Sequence, residues 1–206
     1  MKTTEILQLL QKEIHSTIVA TVDSEGLPVT CVIDMMLADD DGMYFLTAKG
    51  KAFYDRLMKS RFVAMTGLKG ESTMTSVSVN LRGKVRNIGT ERLAEIFEKN
   101  PYMADIYPSE ASRQALTVFQ IYEGSGEIFD LSQRPIFRQS FSYGGETVRQ
   151  TGYRILPELC TGCGKCLSVC PQNCITGDQS KKIDQSHCLH CGNCMNVCPF
   201  HAVAKG

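Results

Sequence analysis

Nine of the ten cysteines in this 206-residue chain lie between Cys160 and Cys198, and only Cys31 stands apart. Within that stretch Cys160, Cys163, Cys166, Cys170 and Pro171 recur as Cys188, Cys191, Cys194, Cys198 and Pro199, at a constant offset of 28 residues. The same offset carries Ile155 onto Ile183 and Ile175 onto Val203. The tail is therefore a duplicated unit of strand, cysteine loop and short helix, whose halves are expected to pack about a pseudo-twofold axis. Thiols this dense serve as disulfides, as zinc ligands or as ligands of a metal–sulfur cluster. A disulfide framework needs an oxidising compartment, and Met1-Lys2-Thr3-Thr4-Glu5 lacks the apolar core of a signal peptide. Zinc favours two C-x₂-C pairs per ion, not three closely spaced cysteines and a fourth followed by proline.

Each half reads C-x₂-C-x₂-C-x₃-C-P and resembles the bacterial ferredoxins that carry two [4Fe–4S] clusters. Three thiolates on a tight loop wrap three irons of a cubane, and the fourth iron faces away and takes its ligand from elsewhere. The resemblance implies one cluster on Cys160, Cys163, Cys166 and Cys198, and another on Cys188, Cys191, Cys194 and Cys170. Gly162, Gly164 and Gly192 suit loops whose backbone amides approach the sulfides, and each proline turns the chain after a ligand. Cys174 is left over, with Ala202 at the matching position of the second half, and reads as a small buried residue covering a cluster. His187 and His190 flank Cys188, as exposed side chains or as hydrogen-bond partners of sulfur.

The remaining residues have to position this chemistry. Hydrophobic residues make up 43% and charged residues 21%, which describes an ordinary globular protein. Lys plus Arg and Asp plus Glu number 22 each, so no global field draws nucleic acid or a membrane surface. No apolar run reaches the length of a membrane span, and the cytoplasm is the expected compartment. Apolar spacing predicts a helix over 3–14, then strands at Ser16–Val22, Pro28–Leu37 and Met43–Thr47 forming a meander. A helix over Lys51–Ser60 and strands Arg61–Gly67 and Ser76–Ile88 follow, the last broken at Gly83. Next come a helix capped by Thr90 and running through Phe97, a helical stretch at 109–114, a strand Leu116–Glu123 and a short strand from Gly124 to Ser132. Six or seven strands with few helices predict a mainly β barrel. The expected division is a barrel domain over 1–145, a linker over 146–152 and a small α+β ferredoxin-like domain over 153–206.

The barrel segment has no G-x-G-x-x-G after a strand and no P-loop, so neither nucleotide fold is supported. His15 and Cys31 form no second metal constellation. The basic turn from Thr47 to Lys51, where a strand feeds a helix, offers a hydroxyl, two ammonium groups and helix-start amides to a phosphate.

Residues from about Ser16 to Leu131 resemble the pyridoxamine-phosphate-oxidase-like FMN-binding split-barrel family. The ordered segments are TVDSEGLP at 21–28, YFLTAKGK at 44–51, RFVAM at 61–65 and GKV at 83–85. The resemblance implies FMN at a homodimer interface. Cys31, Val32, Ile33, Asp34, Met35 and Met36 would run along the isoalloxazine. Leu46, Thr47 and Lys51 would hold the phosphate and ribityl chain with Lys49 nearby, and Ser78 or Asn80 would reach the flavin. Where the family's oxidases carry Arg-Lys at the phosphate turn this chain has Gly50-Lys51, and Cys31 stands where they have arginine. Their arginine-rich C-terminal substrate segment is replaced by the cysteine repeat. The resemblance therefore implies flavin binding without vitamin B6 oxidation.

Together these features predict an iron–sulfur flavoprotein oxidoreductase, with two [4Fe–4S] clusters serving a soluble redox partner protein or small-molecule electron acceptor and FMN coupling single electrons to a two-electron substrate. No residue stands out as a general acid or base. Cys31 reads as a packed small residue rather than a redox-active thiol. The alternative is an electron carrier or redox sensor without its own substrate, the barrel binding flavin, deazaflavin or haem.

Overall fold

The computed structural model describes residues 1–148 and 151–206. Arg149 and Gln150, inside the expected linker 146–152, lie outside the described residues. The chain opens with α1 (Thr3–Leu9), which continues as a wider π turn over Leu10–Ile14 and buries Ile6, Leu7 and Leu10. Strands β1 (Ser16–Val22) and β2 (Pro28–Asp34) form a hairpin in unbroken register from Ser16↔Asp34 to Val22↔Pro28. Its turn is fixed by the Asp23 carboxylate, which accepts the N–H groups of Glu25 and Leu27, both at 2.9 Å. Then follow β3 (Leu37–Asp39), β4 (Gly42–Ala48), α2 (Ala52–Ser60), β5 (Phe62–Lys69) and β6 (Val77–Gly89). Three short helices, α3 (Leu93–Lys99), α4 (Met103–Ile106) and α5 (Glu110–Arg113), lead to β7 (Leu116–Asp130) and β8 (Phe137–Tyr143).

The sheet order is β2-β1-β5-β6-β7-β4-β3, with β8 also paired to β7. The first half of β7 pairs with β4 and the second half, from Gly124, with β8, so this long strand forks the sheet. The expected single strand Pro28–Leu37 is divided between the two ends of the sheet. Met35 and Met36 make the crossing: the Met35 N–H donates to the His15 carbonyl and the Met36 N–H to that of Tyr44, each at 2.8 Å. Both side chains are buried, which holds the crossing inside the barrel. The expected breaks at Gly83 and Gly124 are absent, because these glycines face each other across β6 and β7. A Cβ on Gly83 would meet the Glu123 carbonyl oxygen at 2.4 Å, so glycine here permits close strand approach. Arg92, at φ 61°, caps α3 in place of the expected Thr90. Phe45 and Phe119 stack at 5.7 Å in the centre of the barrel core.

The C-terminal unit contains β9 (Tyr153–Ile155), α6 (Lys165–Ser168), β10 (Ile175–Thr176), β11 (Lys182–Ile183), α7 (Asn193–Asn196) and β12 (Val203–Lys205). Ile155 pairs with Val203 and Ile175 with Ile183, the two pairings that a twofold exchange of the halves requires. The chain thus joins a mainly β split barrel to a small ferredoxin-like α+β unit.

Candidate functional site

The cysteine loops are shaped by left-handed turns. Gly164 at φ 78° and Gly192 at φ 81° start α6 and α7, and these short helices turn Cys166 and Cys194 back toward the rest of their loops. Two small cavities result. One is lined by Cys160, Cys163, Cys166 and Cys198, the other by Cys170, Cys188, Cys191 and Cys194, with Cys174 also on its wall. Backbone amides point at sulfur: Lys181 N–H donates to Cys160 Sγ at 3.5 Å, His190 N–H to Cys188 Sγ at 3.4 Å and Ala202 N–H to Cys198 Sγ at 3.3 Å. Such donors stabilise thiolate, the form that binds iron, and the amides of Lys181 and Gly162 hold the Cys160 thiol below its ordinary range. Among the described residues no three His, Cys, Asp or Glu side chains gather closely enough for a single metal ion. What the cavities offer is four matching thiols each, the donor set of an iron–sulfur cluster.

Cys174 Sγ lies 3.5 Å from Cys170 Sγ, in the buried position expected of it. His187 Nδ1 pairs with the Ile136 carbonyl at 2.9 Å, so this ring serves the barrel contact rather than sulfur. His190 reaches Cys188 through its backbone, and its Nε2 is buried without a hydrogen-bond partner among the described residues.

In the barrel, α2 brings charge to the edge strand. Lys51 caps α2 without a side-chain hydrogen bond. Arg56, one turn further, donates from Nε to Thr21 Oγ1 at 2.8 Å. Burial pushes the Cys31 thiol up while the positive charges of Arg56 and Lys51 oppose that shift. A thiol raised by burial is a poor nucleophile, in keeping with a packing role. Thr47 Oγ1 is buried with no hydrogen-bond partner among the described residues, a free hydroxyl at the end of β4. Strand β2 ends the sheet, so its outer backbone edge is open to a planar ring. An open edge, two cations and an unsatisfied hydroxyl fit a flavin phosphate and its attached ring.

The family profile described as pyridoxamine 5'-phosphate oxidase matches residues 3–123. The chain belongs to the pyridoxamine 5'-phosphate oxidase family. A second profile, the 4Fe-4S dicluster domain, matches residues 159–202. A pyridoxine/pyridoxamine 5'-phosphate oxidase of Mycolicibacterium smegmatis is 27% identical over 151 residues, covering 70% of this chain. The chain spans 60% of the length of that relative. Among solved structures, a NimC/NimA family protein of Clostridium acetobutylicum is similar with a TM-score of 0.57 and 16% identity, over 68% of this chain and 91% of that one. A heme binding protein of Mycobacterium smegmatis has a TM-score of 0.52 and 12% identity, over 69% of this chain and 58% of that one. These two likenesses concern the fold. The two profiles join a 4Fe-4S dicluster domain to a barrel of the pyridoxamine 5'-phosphate oxidase family in one chain. No helix among the described residues is long and apolar enough to cross a membrane.

Within the pyridoxamine 5'-phosphate oxidase barrel, the flavin candidates fall into groups. Cys31 and Ile33 turn toward the core and Val32 is exposed on the opposite face of β2. Cys31, Lys51 and Arg56 share one corner. Asp34 belongs to a separate cluster: it accepts from Ser16 Oγ at 2.6 Å and Tyr102 Oη at 3.1 Å, with His15 Nε2 at 3.6 Å. Met35 and Met36 are 0% and 4% exposed in the core, past the end of β2, so they offer a ligand no open side-chain surface. Leu46 packs beneath α3, on the face of β4 opposite Phe45 and Thr47. Lys49 Nζ donates to the Gln114 carbonyl at 3.3 Å, which leaves Lys51 as the freer cation of the turn. Ser78 and Asn80 lie on β6, two strands from β1, away from the Lys51 corner. Arg56 is not among the candidates the sequence offers. A basic residue on the helix directly after the phosphate turn was the available signal.

Proposed function

We propose that this chain is an iron–sulfur flavoprotein oxidoreductase, with a barrel domain over 1–145, a linker over 146–152 and a cluster domain over 153–206. The observation that carries the reading is the pair of cavities, one lined by four cysteines and the other by the matching four together with Cys174, on a unit fused to a flavin-family barrel. Cys160, Cys163, Cys166 and Cys198 hold one [4Fe–4S] cluster, and Cys170, Cys188, Cys191 and Cys194 hold the other. FMN binds at the edge of β2 with its phosphate toward Lys51, Arg56 and the start of α2, in a homodimer. The clusters supply one-electron chemistry to a soluble partner protein or a small-molecule acceptor, and FMN supplies two-electron chemistry toward a substrate. The protein's own part is positional: Lys51 and Arg56 neutralise phosphate, Thr47 offers a hydroxyl, and backbone amides hold the cysteines as thiolates. The cytoplasm is the proposed compartment.

The test is the absorbance spectrum of anaerobically purified protein before and after dithionite, with iron, sulfide and released cofactor quantified. About eight irons and one FMN per chain, as two cubanes and one flavin require, is the expected result. Full iron with no flavin after FMN is added would remove the flavoprotein reading and leave an electron carrier or sensor. A haem or deazaflavin spectrum would name the barrel's ligand instead.

A further inference from the structure

The duplicated unit has two related faces, one beside each cysteine cavity, and the barrel uses one of them. Among the described residues three hydrogen bonds join the two parts. Arg138 N–H donates to the Ser186 carbonyl at 2.7 Å, Ile136 N–H to Gln172 Oε1 at 3.4 Å, and His187 Nδ1 pairs with the Ile136 carbonyl at 2.9 Å. Every one of these residues in the unit flanks a cysteine of the second cavity: Gln172 follows Cys170-Pro171, and Ser186 and His187 precede Cys188. His190, between Cys188 and Cys191, lines an open cleft at the seam with Glu127, Arg138 and Ser140 of the barrel. Tyr153 lines both that cleft and the second cavity.

The 28-residue offset carries Gln172, Ser186 and His187 onto Phe200, Glu158 and Leu159, beside the first cavity. There Leu159 and Phe200 are each 46% exposed, so the related face is left uncovered by the barrel.

The seam cleft also continues toward the flavin edge. Val32, Ile18, Thr66, Asn80, Glu127 and Ser140 form one cross-strand row from β2 to β8. A groove on that face is lined by Ile18, Thr66, Asn80, Glu127 and Ser140, and it shares Glu127 and Ser140 with the cleft that reaches His190. One sheet face thus leads from the edge strand to the Cys188 loop.

From this asymmetry we propose that the two clusters work in a fixed order, a step that rests on the two-cluster reading above. The cluster of Cys170, Cys188, Cys191 and Cys194 exchanges electrons with the barrel. The cluster of Cys160, Cys163, Cys166 and Cys198 exchanges them with an external one-electron carrier. Tunnelling rates fall steeply with distance, so the cluster at the seam is the one that serves the barrel. When electrons run toward the barrel, an external donor loses one electron and the outer cluster gains it in each passage. The outer cluster returns to its oxidised state as the inner one is reduced, and two passages supply a two-electron acceptor in the barrel.

Nuclear magnetic resonance of the full-length, cluster-loaded protein tests this order without reference to flavin. Paramagnetic broadening should mark the backbone amides of Ile136 and Arg138. In Cys191→Ala, carrying about four irons as one cubane requires, these signals are expected to sharpen, and in Cys163→Ala at the same iron content to remain broadened. The reverse pattern, or equal broadening in both variants, overturns the order. Where either variant fails to assemble, surface changes decide. Gln172→Ala with His187→Ala should slow passage from reduced clusters to the barrel and leave reduction of the clusters by a reduced bacterial ferredoxin unaltered. Leu159→Ser with Phe200→Ser should do the converse, and an exchange of these two outcomes overturns the proposal. Iron analysis of the unaltered protein comes first, because lack of iron there fails the two-cluster reading and not the order.

Discussion

The barrel and the cysteine unit are stabilised by different means. The barrel buries a continuous cluster that includes Phe45, Phe119, Met43, Leu57, Val79 and Ile121, and apolar burial of this kind stabilises a fold without any ligand. In the unit, the buried cluster is Cys174, Ile175, Cys188, Cys194 and Val203, with Cys166, Cys170 and Cys198 partly buried against it. Its strands are two or three residues long. A body so small, with thiols where a core would be, has little apolar burial of its own to hold it together. One chain thus combines a scaffold held by its own apolar core with a scaffold in which thiols take much of the core's place.

The comparison breaks most visibly when iron is removed. Oxidation and chelation should abolish hydrogen-exchange protection across 153–206 while β4 to β7 keep theirs, as mass spectrometry of the exchanged protein would record. Loss of protection in both parts together would mean that the barrel also leans on the clusters. The complementary change is Phe45→Ala. Phe45 is fully buried and stacked on Phe119, so its removal should cost the barrel about 3–5 kcal/mol in urea unfolding. Iron content should stay unchanged, and a fall in iron would tie cluster assembly to barrel stability.

The same contrast explains what the sequence discloses. Three cysteines of each half sit at spacings set by one local loop, and the resemblance to bacterial ferredoxins implies the exchange of Cys170 and Cys198 between the halves, which is how the two cavities are lined. Strand β1 is equally plain, since Ser16–Val22 is rich in β-branched residues and ends at a turn. The split of Pro28–Leu37 was hidden because Met35 and Met36 continue an apolar run, and only the distant carbonyls of His15 and Tyr44 decide where each amide goes. Gly83 and Gly124 looked like breaks because the close approach that requires them involves a partner strand some forty residues away in sequence. Strand β8 was missed for the opposite reason: its pattern FRQSFSY fully buries only Phe141, too little for a period to show. In the barrel the sequence points to Lys51, and Arg56 comes to the same edge only through the packing of α2 against Thr21.

That corner gives the next effect in size. Replacing Lys51 or Arg56 by alanine removes a charge-assisted contact to phosphate, worth about 1.5–3 kcal/mol, or roughly ten- to hundredfold in FMN dissociation constant. Thr47→Val removes one neutral hydroxyl and should cost about 1 kcal/mol. Titration of apoprotein with FMN by fluorescence quenching measures both. Cluster content should not respond, which sharpens the separation of the two sites. Unchanged affinity in both cation variants would place the phosphate elsewhere.

The smallest effect concerns acid. Glu95 accepts from Arg92 at 2.8 Å and from Lys99 at 2.6 Å, and these bonds hold its carboxyl down from 4.5 to about 2. A carboxyl lowered in the folded state adds stability that is complete above pH 4.5 and fades as pH falls toward 2. The pair lies at the surface, where solvent screening limits its worth to under about 1 kcal/mol. Glu95→Gln should therefore lower barrel stability slightly at pH 6 and match the unaltered protein near pH 2, when urea midpoints are compared across that range. The cysteine unit should behave differently over the same interval, because protons compete with iron for thiolate and release the clusters outright. A barrel that loses a fraction of its stability while the unit unfolds would separate the two kinds of scaffold by pH alone. A midpoint difference that persists at pH 2 would show that Glu95 acts through packing and not through its charge.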